Sequence, residues 1–201
     1  MKLFNILLDN TPEVCEVGGK VYQVNTDFRV VLAYLRLCDG ELSDEEKAAY
    51  GLSLFFENKE IGQCVTDAGH IKELVEWRGW FLRCGRDVEE KNDRPKSEPA
   101  FDLLVDSGRI YAAFYQVYRI NLRTAKVHWW VFMELLNGLP VEGTRLSYAI
   151  EIRGKGAEKW MTPAQKNALA EAKDYYSISR AKGKKAKDIG DQMADIFRAM
   201  F

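Results

Sequence analysis

Histidine occurs only twice in the 201 residues, at His70 and His128. A catalytic imidazole needs an orienting group and a nucleophile or substrate within hydrogen-bond reach. A metal site needs several ligands at recurrent spacings. There is no HExxH here, and the two histidines lie on separate segments. No GxxxxGKS/T, no GxGxxG and no GxSxG occurs, so the usual phosphate-binding and serine-nucleophile patterns are missing. Cysteine is scarce as well. Cys15, Cys38, Cys64 and Cys84 form no CxxC pair and read as reduced, mostly buried thiols of a cytosolic protein. No apolar run reaches ~18 residues, so nothing is expected to span a membrane. "MKLFNILLDN" is too short, and turns acidic too early, for a secretory signal. An excess of one charge is also lacking. With 29 basic and 30 acidic residues, no whole-chain field favours nucleic acid or anionic lipid. No enzyme, cofactor or metal is expected, and function is pushed onto surfaces and partners.

What the chain does have is helical patterning. "EVCEVGGKVYQVN" alternates apolar and polar residues on both sides of Gly18-Gly19, which predicts a hairpin with strands near Glu13–Val17 and Lys20–Val24. "NTDFRVVLAYLRLCDG" predicts a helix capped by Thr26 or Asp27 and ended by Gly40, with Phe28, Val31, Leu32 and Leu35 on one face. Ser43 and Glu46 have capping-box spacing for a second helix, whose apolar stripe is Ala48, Leu52, Phe55 and Phe56. The acids Asp44, Glu45 and Glu46 suit that helix start and need no catalytic explanation. A third helix is expected over Ala68–Arg83, with Ile71, Leu74, Val75 and Leu82 inward. The stretch 86–100 carries two prolines and many charges and reads as a solvated, flexible insert.

Further helices are expected over Ser107–Val117 and Thr144–Ile152, with "RGKGAEK" (Arg153–Lys159) as a loop. "MTPAQK" predicts another helix, with Thr162 as cap, Pro163 at its first position and Gln165 completing a capping box. "VHWWVFMELLNGLP" stands out. Thr124 is its expected cap, with Gly138 just past its end and Pro140 beyond. On a helix, Val127, Trp130, Val131 and Leu135 form one stripe, and Trp129, Phe132, Met133 and Leu136 a second beside it. A helix apolar nearly all round is buried on several sides, so this is a core helix and His128 a structural residue.

The fold class expected is mainly α: a helical bundle-like single domain, residues 1–178, with an N-terminal β-hairpin. A C-terminal extension, 179–201, consists of a basic linker and an amphipathic helix. Arg180, Lys182, Lys184, Lys185 and Lys187 lack the interleaved aromatics of a nucleic-acid surface. A small nucleic-acid-binding protein is therefore a remote reading. Beyond them Ile189, Met193, Ile196, Phe197 and Met200 fall on one helical face, with Phe201 after them, and are the candidate partner-binding residues. Asp191 and Asp195 argue against a membrane surface.

"LFNILLDNTPE", the Gly-Gly hairpin, "NTDFR" (Asn25–Arg29), "FLRCGR", "RIYAAFYQVYRINL", "HWWVFMELLNGL" and "IEIRGK…MTPAQK" follow one another in this order. That order resembles the bacteriophage "gp fifteen" family of Gram-positive siphophages and prophages, over roughly Leu3 to Ile178. One departure is visible. The family commonly has a glycine where Arg119 follows Tyr118. The resemblance implies a tail-morphogenesis protein whose gene lies near that of a tape-measure protein. It implies an assembly chaperone or scaffold in the host cytoplasm that binds apolar tape-measure helices. The tail tube protein is a second implied partner, and homo-oligomers are an option. The alternative is a minor structural component of the virion tail.

Overall fold

The computed structural model describes residues 4–56, 68–86 and 99–178. Cys64, most of the charged insert, the basic run and the stripe Ile189, Met193, Ile196, Phe197, Met200 and Phe201 lie outside them. The described residues form seven helices and one antiparallel hairpin, a mainly α fold. By packing they fall into two compact units. The first holds residues 4–56, 68–86 and 126–135, and the second holds 99–125 and 136–178.

In the first unit, β1 (Val14–Val17) pairs with β2 (Lys20–Gln23). Gly18 and Gly19 take φ of 57° and 72°, the left-handed pair a two-residue turn requires. Cys15 and Val17 point inward from β1, Tyr22 and Val24 from β2 and its end. Helix α1 (Phe28–Cys38) is capped by Asp27, which accepts from the Arg29 N–H at 2.9 Å. Its buried face includes Tyr34 beside Phe28, Val31 and Leu35, while Leu32 is only half-buried. Helix α2 (Asp44–Phe55) has the expected Ser43–Glu46 capping box. Ala48, placed on its inner stripe by periodicity, is exposed. Helix α3 (Ala68–Leu82) corrects the sequence reading most. Ile71 and Val75 are 42% and 49% exposed, and the inward side belongs to Leu74, Phe81 and Leu82. Periodicity marks the apolar face but not which part of it finds a neighbour.

In the second unit, α4 (Ser107–Tyr118) packs on α6 (Arg145–Gly154), and α6 on α7 (Pro163–Tyr176). Thr144 caps α6 through a box with Ser147, and Thr162 caps α7 through the expected box with Gln165. Arg153 and Gly154 are the last turn of α6, not a loop. Helix α7 buries none of its own residues.

Helix α5 (Trp129–Asn137) is the core helix expected, with Trp129, Trp130, Phe132 and Met133 at most 1% exposed. It starts later than expected. Thr124 sits in a turn closed by its N–H to the Asn121 carbonyl, and it does not cap this helix. Arg119, at the departure from the family pattern, has φ 58° and ends α4 in the left-handed conformation. Its N–H donates to the Tyr115 carbonyl, and the Ile120 N–H to that of Phe114. The Arg119 bond is that of the left-handed helix end that glycine usually makes. The turn survives without the glycine, at a conformational cost of about 1–2 kcal/mol.

Candidate functional site

The residues that a functional reading would single out first are the two histidines and the tryptophans beside one of them. His128 immediately precedes α5, and its Nδ1 accepts the Trp130 N–H at 3.0 Å. An acceptor nitrogen carries no proton, so the proton is on Nε2, 3.0 Å from the Pro12 carbonyl to which it donates. Burial lowers the His128 pKa, against weaker opposite pulls from the Pro12 carbonyl and Glu13. Both ring nitrogens are thus committed to holding backbone, and the ring acts as the helix cap assigned in sequence to Thr124.

The same joint gathers motifs far apart in the chain. The Phe28 N–H donates to the Val127 carbonyl at 3.0 Å and the Trp129 N–H to the Thr26 carbonyl at 2.8 Å. This short bridge ties the starts of α1 and α5 together. The indole N–H of Trp129 donates to the Leu82 carbonyl at 3.1 Å, and that of Trp130 to the Phe81 carbonyl at 2.8 Å. These are carbonyls at the C-terminal end of α3, where that of Phe81 also accepts the Cys84 N–H at 3.1 Å and that of Leu82 lies past the last turn of the helix. Phe28 stacks on Phe132 at 4.6 Å, and Phe4 meets Trp130 edge-on at 4.5 Å. A Cβ at Gly85 would lie 2.9 Å from the Trp130 ring. "NTDFR", "FLRCGR" and "HWW" therefore make one architectural joint. The ring nitrogens of His128, Trp129 and Trp130 all find partners inside it.

His70 is structural in another way. It lies against the hairpin turn, where a Cβ at Gly18 would collide with its ring. Glu73, one helical turn on, accepts the Gly18 N–H at 2.8 Å. Cys15 and Cys84 are buried free thiols whose pKa burial pushes up to about 12, and Cys38 is half-buried and free. A protonated thiol is a poor nucleophile.

The second unit contains a cluster that no sequence signal announced. Asp106 is fully buried. Arg153 grips its carboxylate with two nitrogens, at 2.7 and 2.8 Å, and Arg109 adds a third contact at 2.6 Å. The Asp102 N–H donates to Asp106 at 3.0 Å. Arg153 also donates to the carbonyls of Ala100 and Tyr176. Burial alone would raise the Asp106 pKa, but the hydrogen bonds and charge of Arg153, with Asp102 and Arg109, hold it below the usual carboxylate range. No buried side-chain nitrogen or oxygen of the cluster lacks a partner, as a locking cluster requires.

Some large apolar side chains also remain open to solvent. A cleft between α2 and α3 is lined by Gly51, Leu52, Phe55, Leu74, Val75 and Trp77, with Ile71 and Arg78 beside them. Its volume is about 70 Å³. Ordinary small-molecule pockets hold roughly 300–1,000 Å³, so this one is smaller than such a site and closer in size to an apolar side chain. A second exposed apolar feature is Leu7-Leu8, at 88% and 83% exposure. Neither was assigned a binding role from sequence. The cleft's signal was there, in an α3 pattern with more apolar positions than one inward face can hold. The residues that were assigned one, Ile189 to Phe201, fall outside the described chain.

The bacteriophage Gp15 protein family matches residues 7–178. That span is most of the chain and includes the joint, the ion cluster and the cleft, and the chain belongs to this family. No curated protein and no solved structure matches it.

Proposed function

We propose that this member of the bacteriophage Gp15 family is a tail-morphogenesis protein, an assembly chaperone or scaffold that binds apolar helices of the tape-measure protein. The observation that carries the proposal is the α2–α3 cleft, whose exposed Ile71 and Val75 border buried Leu74 and Phe55. An apolar groove with a charged rim is the receptor half of helix-in-groove recognition. Each large side chain docked there contributes about 1.5–3 kcal/mol gross, before association entropy. The stripe Ile189, Met193, Ile196, Phe197, Met200 and Phe201 is proposed as a second apolar contact. The joint and the ion cluster each hold together the helices of their own unit, and the reading assigns the protein no catalytic step. It acts in the host cytoplasm during assembly, with the tail tube protein as a further partner.

The test is co-expression with the long tape-measure-like reading frame expected beside this gene, scored by soluble tape measure. The full chain is expected to raise it. Val75→Asp, at an exposed position, is expected to lower capture about tenfold or more. Phe197→Asp is expected to lower it as well, and unchanged capture by that variant would remove the terminal stripe from the reading. No solubilisation by the full chain, together with its detection by mass spectrometry in purified particles, would move the reading to a structural component of the tail.

A further inference from the structure

We propose that the α2–α3 cleft selects acidic partner helices. Such a helix places a carboxylate about one turn from the apolar side chain seated in the cleft, and Arg78 receives that carboxylate. The inference rests on the reading of the cleft as the partner-binding site, and it adds the sign of charge the partner must carry. Arg78 lines the cleft and is half-buried. Its guanidinium lies over the Tyr34 ring, 5.3 Å from the centroid. That ring is itself fixed. Tyr34 is buried and meets Phe55 edge-on at 5.5 Å. It also lies so close to α2 that a Cβ at Gly51 would be 2.9 Å from it. A cation held over a ring face still has its N–H donors to give.

Among the described residues no carboxylate pairs with Arg78. The acids of α3 are committed elsewhere. Glu76 pairs with Lys72 at 3.8 Å, and Glu73 accepts the Gly18 N–H at 2.8 Å. On α2, Glu46 is held by the Ser43 cap. In the free protein water serves Arg78. A helix laid over the cleft takes that water away, and a guanidinium covered in this way needs an anionic acceptor. A neutral or basic helix leaves it stranded, so the same residue that welcomes an acid rejects the alternatives.

The spacing of the cleft is that of a helix. Ile71, Val75 and Arg78 follow one another at i, i+4 and i+7 on α3, and all three line the cleft. The apolar and charged contact points, Val75 and Arg78, are thus about 4.5 Å apart along the helix axis. A partner helix lying along α3 repeats that interval at its own i, i+3 or i+4. Its apolar residue then meets the cleft as its Asp or Glu meets Arg78.

Three synthetic helical peptides test the proposal. They share one leucine stripe and carry Glu, Gln or Lys one turn after the central leucine. Fluorescence anisotropy measures their binding to the full chain. The Glu peptide is expected to bind about three- to tenfold tighter than the Gln peptide, and the Lys peptide weakest. Added salt is expected to shrink that preference. R78E is expected to reverse the order of the Glu and Lys peptides. R78Q, which keeps most of the stem, is expected to bind the Glu and Gln peptides alike. Circular dichroism checks that both variants retain helix, and R78Q decides where R78E does not. Equal binding of the three peptides to the wild type overturns the proposal, as does no binding of any of them. So does a preference for Glu that survives in R78Q. Growth in mass of the free protein on sedimentation, abolished by V75D, would give the cleft to a second copy and overturn it too. The reading beneath it fails separately, when V75D leaves capture of the tape measure unchanged. Capture that V75D abolishes, with no charge preference among the peptides, sinks only the acidic-helix proposal.

Discussion

The two compact units solve the same problem with opposite chemistry. The first ties three helix ends together with aromatic rings and neutral hydrogen bonds: His128 caps α5, and two indoles satisfy the end of α3. The second ties α4, α6 and the end of α7 together with a buried carboxylate gripped by two guanidinium groups. A neutral joint loses stability in proportion to the surface it stops burying. A buried ion lock behaves asymmetrically, since removing one charge strands the other in a low dielectric. The comparison teaches that the most damaging single change lies where the sequence looks least remarkable.

The largest effect expected follows directly. Asp106→Ala leaves Arg153, 5% exposed, without its counter-charge, and breaking such a pair typically destabilises by about 3–5 kcal/mol. Hydrogen exchange should show protection collapsing in α4 and α6. A double change of Asp106 to Leu and Arg153 to Met should restore much of it. If Asp106→Ala is mild, the ion cluster is ornament and the contrast between the units fails.

Acid sharpens the contrast at intermediate size. The His128 pKa is lowered by burial, so its contribution is fully present above about pH 6.5 and is lost as pH falls through the lower folded value. Protonating Nδ1 would also remove the acceptor that caps α5. The Asp106 pKa is lowered too, so the second unit keeps its lock until pH falls below the usual carboxylate range near 4. Asp27, whose pKa is also lowered, adds a similar loss to the first unit there. Between about pH 6 and 4, hydrogen exchange is therefore expected to loosen α5 before α6. His128→Asn keeps a capping side chain without a titrating ring and should flatten that dependence. Equal loosening of both units would break the comparison.

The smallest effect is a gain. Arg119→Gly relieves a left-handed non-glycine residue and is expected to stabilise the protein by about 1 kcal/mol, read as a rise in Tm. No change would mean that the Arg119 side chain compensates by contacts of its own.

Much of the scaffold was legible in the chain. The Gly-Gly hairpin, the capping boxes at Ser43 and Thr162, and α5 as a core helix are local facts, written in a few neighbouring residues. Periods of two and 3.6 residues and side-chain oxygens at helix starts act over short distances, so a linear reading captures them. The cap of α5 was misread because Thr124 has the right chemistry for it and His128 acts as a cap only with Pro12 beside it. Ile71 and Val75 were misread because an apolar face does not say how much of itself a neighbour covers. Asp106, Arg109 and Arg153 carried no local signal at all, since charged residues look solvated until distant helices enclose them. The sequence by itself determined the helices, the hairpin, the core helix and the kinship with a phage family. Tertiary structure alone decided which rings became caps, which charges became a lock and which apolar side chains stayed exposed. Those outcomes depend on groups dozens of residues apart arriving at the same place.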